Sequence, residues 1–546
     1  MTATARAASK LDRRVLIVFP GLMLGMLLAA LDQTIVATSL PTIVTDLGGL
    51  THISWVGTAY LLTSCVSTPI YGKLGDLFGR KRLFQGAIVI FLLGSVLCGT
   101  STSMLELILF RALQGLGAGG LMVNAQAIIG DLVPPAERGR YQGFMQATFA
   151  FATLIGPLLG GVLTEDLNWR WVFYVNIPVG AAALAVTSAV LRPSPRASFR
   201  PKIDWLGALL LSGAITSIIL VTSWGGVSYP WVSAPVFGLG ALAIVLVVLF
   251  ILAERRATQP LLPLHLFRNP VIRIVSPLTL ILGFGILGTG TFTPLYQQIV
   301  DGVSPTMSGL RLAPLALSMV ITSTVTGRLI GRLGRYRRFP IIGTSVLVVG
   351  MVLLSFFGVS TPYSYQILTL AVIGVGFGMI NPVMVLSAQN AVEPGDIGVA
   401  SSTTTFGRTV GGAFGIAVFG TIFTSRLTSG LAQRMPPSVV HQFSTTGINI
   451  SRAQINALPA AQRTEFLNGF AYALHSVFIC GIVVAVVGFV LALNLREVAL
   501  RPRRARATAA APAAPVVPAP EIPAVPVIPP AVTEQQRGTD GSAAVH

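Results

Sequence analysis

Charge is scarce in this chain. Only 10% of its 546 residues are Asp, Glu, Lys or Arg, against 53% hydrophobic, whereas a soluble domain carries about 25% charged residues. That shortage excludes a soluble enzyme and leaves a polytopic membrane protein. Cysteine is nearly absent. Cys65, Cys98 and Cys480 all lie in apolar runs, which leaves neither a disulfide frame nor a thiolate metal site. The five histidines, His52, His265, His441, His475 and His546, are scattered, and no His/Asp/Glu cluster of metal-ligand spacing occurs. No Gly-x-x-x-x-Gly-Lys-Ser/Thr phosphate loop is present, so ATP is not the expected driver. The net charge of +18 would suggest nucleic acid in a soluble chain, but here the bases fall in short loops between apolar runs and no nucleic-acid partner is expected.

Apolar runs of membrane-spanning length are what the chain has in abundance. Helices are expected near residues 15–38, 53–71, 83–100, 104–129, 141–164 and 171–191, then 204–223, 232–253, 271–299, 308–330, 339–357, 363–387, 398–425 and 470–495, fourteen in all. Even the shortest exceeds the ~9 to 11 residues of a barrel strand, so the expected fold is an all-α bundle in a lipid bilayer. Arg6, Lys10, Arg13 and Arg14 before the first run keep residues 1–14 in the cytoplasm, and the first run is too long for a signal-peptide core. With that end inside, Lys73, Arg80 to Arg82, Arg138, Arg140, Arg192 to Lys202, Arg255, Arg256, Arg268, Arg332 to Arg338 and Arg501 to Arg506 are all cytoplasmic. The outer side keeps Arg170, Arg426, Arg434, Arg452 and Arg463, four of them in or beside one long loop over 426–469. That loop either caps an exit or meets a partner in the envelope. Both termini are expected in the cytoplasm of a bacterial cell (inner) membrane protein, and the tail over 496–546 turns from basic to Ala/Pro-rich, an extended disordered tether.

An internal repeat organises the chain. At an offset of about 255 to 259, Gly72-Lys73-Leu74-Gly75-Asp76-Leu77-Phe78-Gly79-Arg80 falls on Gly327-Arg328-Leu329-Ile330-Gly331-Arg332-Leu333-Gly334-Arg335, and Gly115 to Gly119 falls on Gly374 to Gly378. The chain therefore divides into a six-helix half over 15–191, a linker with two inserted helices over 192–270, and a second six-helix half over 271–495. A duplicated six-helix unit is the plan of a rocking transporter, with its substrate site near the midplane between the halves.

These residues carry a resemblance. The Gly72 to Arg82 loop is similar to the signature between helices 2 and 3 of the major facilitator superfamily. Leu31-Asp32-Gln33-Thr34-Ile35-Val36, Leu40-Pro41, Arg111 with Gln114-Gly115, Gly156-Pro157-Leu158-Leu159-Gly160-Gly161, and Trp169-Arg170-Trp171 with Asn176-Ile177-Pro178 resemble its fourteen-helix drug/proton antiporter branch, the EmrB/QacA type. Ala152 departs from that pattern, which often has glycine there. The resemblance implies a 6+2+6 helix bundle, export of amphipathic organic compounds against protons, and a hinge at Gly156, Pro157, Gly160 and Gly161 between helices 5 and 8 of the usual twelve.

Asp32 is the candidate centre, because a carboxylate deep in an apolar span costs a few kcal/mol or more and is by default functional. It lies about five residues past the centre of its helix near Leu27, roughly 8 Å toward the outside at ~1.5 Å per residue. Arg111 sits four or five residues before the centre of the antiparallel fourth helix, at similar depth. Closing and opening such a pair loads and releases a proton; the alternative is a permanent ion pair stitching helices 1 and 4. The second half has Leu287 or Gly288 and Leu370 at the aligned positions, so proton chemistry is expected in the first half only. Gly72, Asp76, Gly79 and Arg80 are expected to form an inner gate, glycines permitting a tight turn and Asp76 taking an arginine or a helix N-terminus; in similar transporters its partners correspond to Arg138 and Arg140. Gln33, Tyr60, Asn124, Gln146, Phe149, Asn381, Gln389 and Arg408 are candidates for the substrate cavity, each equally able to serve as helix-packing glue. Arg311 and Glu106, near helix ends, are expected to snorkel.

The expected function is secondary active efflux of amphipathic organic compounds in exchange for protons, with the proton gradient as driver and no cofactor. Alternatives are a proton-linked carrier of a specific metabolite, lipid or siderophore and, more remotely, a membrane enzyme or sensor.

Overall fold

The computed structural model describes residues 3–48, 52–191, 204–225, 229–433, 435, 455 and 458–500. The Ala/Pro-rich tail, much of the linker over 192–203 and most of the outer loop over 436–457 lie outside the described residues. Sixteen helices carry the described chain: α1 Ala3–Leu47, α2 Ile53–Phe78, α3 Arg80–Thr100, α4 Met104–Leu132, α5 Pro135–Val162, α6 Trp171–Tyr174, α7 Asn176–Val190, α8 Trp205–Trp224, α9 Ala234–Arg256, α10 Pro270–Tyr296, α11 Pro305–Leu310, α12 Ala313–Leu333, α13 Arg338–Ser355, α14 Tyr363–Asn390, α15 Ile397–Ala432 and α16 Ala460–Leu493. Among the described residues the only β feature is an isolated bridge between Gly225 and Tyr229.

Among the described residues, thirteen helical segments are long and apolar enough to cross a membrane. The expected segment over 53–71 exists as α2 but is not among them, because Thr58, Thr63, Ser64, Ser67 and Thr68 interrupt its apolar residues. Those hydroxyls have a use in packing. Thr63 and Ser67 stand where a Cβ on Gly115 or Gly119 of α4 would go, so the two helices approach closely over small residues.

Local sequence places the helix ends. Ser103 caps α4 by accepting from the Glu106 N–H, and Glu106 in turn accepts from the Thr102 N–H and hydroxyl. Glu106 thus completes a capping arrangement rather than snorkelling. Gly79 (φ 93°) joins α2 to α3 and Gly334 (φ 67°) ends α12, so both copies of the repeated loop turn on a glycine with a left-handed backbone. The apolar core is divided. One cluster draws on residues 266–495 alone and two others on residues 18–191 alone. A fourth gathers Cys65 of α2, Leu211, Ile215 and Ile219 of α8, Phe250 of α9, Leu261 and Val410 of α15, which seats the inserted helices against both groups. Much of α9 is uncovered, with Leu242, Ile244, Val245 and Val248 exposed as a lipid-facing surface.

Candidate functional site

Asp32 of α1 has no exposed surface. Its Oδ2 pairs with the Arg111 guanidinium at 2.5 Å, the pair that equal depth predicts. The structure adds two partners and a hydroxyl behind them. Gln114, one helical turn beyond Arg111 on α4, donates from Nε2 to Asp32 Oδ1 at 2.7 Å, and Asn176, the first residue of α7, donates to the same oxygen at 3.0 Å. Ser95 of α3 accepts from both amides and donates to the Phe173 carbonyl at 2.9 Å. Arg111 also donates to Gln114 Oε1 at 2.8 Å and lies 4.2 Å from the centroid of the Tyr60 ring of α2. The carboxylate therefore accepts from three side chains on two helices, while α2 and α3 hold those donors in place.

Gln114 and Asn176 stood in motifs, yet nothing assigned them to the carboxylate. For Gln114 part of the signal was available, since it is three residues from Arg111 and so shares its helix face. Tyr60, a cavity candidate, belongs instead to this cluster; its hydroxyl donates to the Ala29 carbonyl at 3.3 Å.

A second carboxylate site ends α10. Asp301 pairs with Arg311 at 2.9 Å and accepts from Gln366 Nε2 at 2.9 Å, and Gln297 donates to Gln366 at 3.1 Å. Arg311 sits 4.4 Å from the centroid of Tyr363. It is paired and stacked, not snorkelling. The second half does contain an acid–arginine pair, away from the positions that align with Asp32 and Arg111.

At the basic end of the bundle, Asp76 of α2 binds Arg80 at 2.6 Å and accepts from the Gly398 and Val399 N–H groups, both at 3.1 Å, at the N-terminus of α15. Arg80 reaches on to Asp131 of α4 at 2.9 Å. The expected arginine and the expected helix N-terminus are thus both partners of Asp76, but the arginine is Arg80. Arg138 instead donates to the Gly130 and Val133 carbonyls, closing the end of α4, and Arg140 is exposed over Phe144. Gly72 lets α15 approach, since a Cβ there would stand 2.6 Å from Ser402 Cβ; Gly139 of α5 and Gly327 of α12 do the same for the other crossing, with Gly327 Cα 2.7 Å from a Cβ built on Gly139.

The glycines of the hinge motif pack elsewhere than the resemblance implies. Gly156 and Gly160 face Thr34, Thr38 and Ile35 of α1, and a Cβ on Gly161 would meet nothing. Within the motif Pro157 faces the eighth helix of the usual twelve, where a Cβ on Gly309 of α11 would stand 3.1 Å from it, and α5 crosses the α12 part of that helix at Gly139 and Gly327.

Of the cavity candidates, Asn381 and Arg408 line a cavity of only about 10 Å³ with Gln126 of α4, Thr279 and Leu282 of α10, Met384 and Val385 of α14, and Thr404 and Thr405 of α15, about the room one water needs. Phe149 of α5 meets Arg408, 5.7 Å from ring centroid to guanidinium. Arg408 makes no ion pair among the described residues. Gln126, missed in the sequence because it is one amide in an apolar run, accepts from Thr405 at 3.2 Å and ties α4 to α15. Gln389 stitches α14 to the Gln126 carbonyl and to Ser401. Asn124 lies against Gly75 and donates to Gly120, Gln146 is buried outside the cavity lining, and Gln33 is exposed.

A bundle of apolar helices, strand-free among the described residues, with an ion pair buried in one half and a small cavity where helices of both halves meet, is the form of a multi-pass membrane transporter, not an enzyme. The chain belongs to the Major Facilitator Superfamily, whose family model matches residues 22–416. It is 44% identical over 484 residues to an uncharacterized MFS-type transporter of Mycobacterium tuberculosis, covering 89% of this chain and 70% of the relative. It is 35% identical over 520 residues to the multidrug transporter protein MdtP of Bacillus subtilis (91% and 95% covered). The fold is shared with the human organic anion transporter MFSD10, at a TM-score of 0.58 and 15% identity over 88% of this chain and 99% of that one.

Proposed function

We propose that this transporter exports amphipathic organic compounds from a bacterial cell in exchange for protons, with Asp32 as the group that carries the proton. One observation supports this above the others: every side chain that contacts the Asp32 carboxylate donates to it. Three donors fill three of the roughly four acceptor sites of the carboxylate and leave one on Oδ2 beside Arg111, so a proton taken there removes the charge that holds Arg111. Protonation and the closed pairing of α1 with α4 then oppose one another, the kind of two-state element that coupling needs. A permanent stitch explains less, since buried ion pairs add little to stability relative to apolar packing.

In this reading both termini are cytoplasmic, the residues over 15–191 rock against those over 271–495, and the Asp76–Arg80 cluster on the α15 N-terminus is the inner gate. The proton gradient is the only driver. Export of drugs is supported by relatives named as multidrug transporters; the small cavity, whose lining mixes Thr404, Asn381 and Arg408 with Leu282, Met384 and Val385, has to widen to admit such a compound. The unpaired Arg408 favours neutral or anionic amphiphiles over cations. The test is uphill efflux of one anionic and one cationic dye from cells expressing the chain. Export of neither dye overturns the drug reading and leaves the specific-metabolite carrier.

A further inference from the structure

The inserted helices carry two acids that the reading above does not use. Glu254, near the end of α9, is 4% exposed. Its Oε1 accepts from the backbone N–H groups of Leu261 at 3.0 Å and Leu262 at 3.2 Å, while its Oε2 is buried with no hydrogen-bond partner. Asp204 caps α8: its Oδ1 accepts from the Gly207 N–H at 2.9 Å, and its Oδ2 is likewise buried and unpartnered. The two carboxylates meet at position 207. A Cβ there would collide with Asp204 Oδ2 and stand 3.3 Å from Glu254 Oε1, so the glycine provides the space they share.

Among the described residues, the charges within electrostatic reach of Glu254 are Asp204 and Lys73 of α2. Lys73 is half-buried and makes no hydrogen bond or ion pair among the described residues; Arg255, Arg256, His265 and Arg268, on α9 and the turn after it, are exposed. Ionised carboxylates only accept, and each of these two keeps one buried oxygen without a hydrogen. A single proton turns one of them into a donor and removes one of two like charges.

We infer that Asp204 and Glu254 form a second proton-binding site, one proton held by the pair at the basic end of the inserted helices. The site is independent of the role proposed for Asp32. Glu254 also fixes the chain at Leu261 and Leu262, so the proton holds that segment against the ends of α8 and α9.

The test uses the full chain in lipid nanodiscs, as wild type, Glu254→Gln, Asp204→Asn and Asp32→Asn. Infrared spectra near neutral pH should show a protonated-carboxyl band that is lost in Glu254→Gln and in Asp204→Asn and kept in Asp32→Asn. A proton bound in the folded state and absent from the unfolded one makes stability fall as pH rises, so the wild-type unfolding temperature should drop from about pH 6 to about pH 9 while Glu254→Gln stays flat. Glutamine keeps a donor toward Asp204, so this variant tests the site without emptying it. A band and a pH profile identical in wild type and Glu254→Gln overturn the proposal. So does stabilisation of wild type by sodium over choline chloride that Glu254→Gln loses, since the occupant is then a metal cation. Failure of the Asp32 reading changes none of these signals.

Discussion

Asp32 and Asp301 are set in matching parts. Each pairs with an arginine, each accepts from a side-chain amide that contacts a further polar group, and each arginine lies over a tyrosine ring, 4.2 Å at Tyr60 and 4.4 Å at Tyr363. Their surroundings differ. The side chains of Asp32 and Arg111 are 0% and 3% exposed, and Asp32 lies within the apolar span Ile17–Leu40; those of Asp301 and Arg311 are 15% and 22% exposed, at the last residue of the span Pro270–Asp301. The same chemistry at the end of a helix meets water and serves as a tether among α10, α11 and α14. Within the span the buried pair depends on its protein partners, and in the role proposed for Asp32 a change of protonation weakens the contact between α1 and α4.

The largest stability difference should come from removing each arginine. Arg111→Ala leaves Asp32 buried with one donor fewer and should cost about 3–5 kcal/mol, the usual penalty for breaking a buried pair. Arg311→Ala should cost about 1 kcal/mol, close to that of an exposed pair. Thermal unfolding of the purified variants measures both, and equal losses would erase the distinction between the two sites. Transport should divide the same way: Asp301→Asn keeps gradient-driven export within about threefold of wild type, whereas a loss of about tenfold or more, equivalent to ~1.4 kcal/mol, would make the second site part of the coupling. Salt should sharpen the contrast more gently. Raising ionic strength to about 1 M shortens the screening length to about 3 Å, so it should erode the contribution of the Asp301 pair and leave that of Asp32 unchanged, as double-mutant cycles at low and high salt will show.

The smallest effect is expected at Asp46, an exposed acid past the end of the first span. Hydrogen bonds from Trp169 and then Arg170 hold its carboxyl below the usual aspartate range. A depressed value means that the contribution is present above the unfolded-state value and is lost as pH falls through the folded one. Asp46→Asn should therefore be slightly less stable than wild type near neutral pH and indistinguishable from it in acid; a gap that persists in acid would mean packing, not charge.

The ion pair between α1 and α4 could be read from the sequence because a carboxylate and a guanidinium in apolar spans are both costly, and helix rise places them at one depth. Gln114, Asn176 and Ser95 could not be read as fully: neutral amides and hydroxyls cost less in a span, and only the fold shows which carboxylate they face. Arg311 was taken for a snorkelling side chain because its partner, Asp301, sits in a π-turn at the end of α10 that apolar patterning does not reveal. Glu254 was missed because the apolar run ends at Ala253, whereas the helix continues to Arg256 and folds the acid back under Leu261. At the basic end, the chemistry of Asp76 was predictable and the choice among arginines was not, since Arg80 and Arg138 differ only in which helix end each can reach.

Simultaneous recording of dye efflux and internal pH in energised cells, wild type beside Asp32→Asn, tests the central claim most directly. The account predicts that wild type moves dye outward as protons enter, and that Asp32→Asn still binds dye but neither concentrates it outside nor admits protons with it. Uphill export by Asp32→Asn, with proton entry intact, would contradict the account and reduce the buried pair to a stitch between α1 and α4.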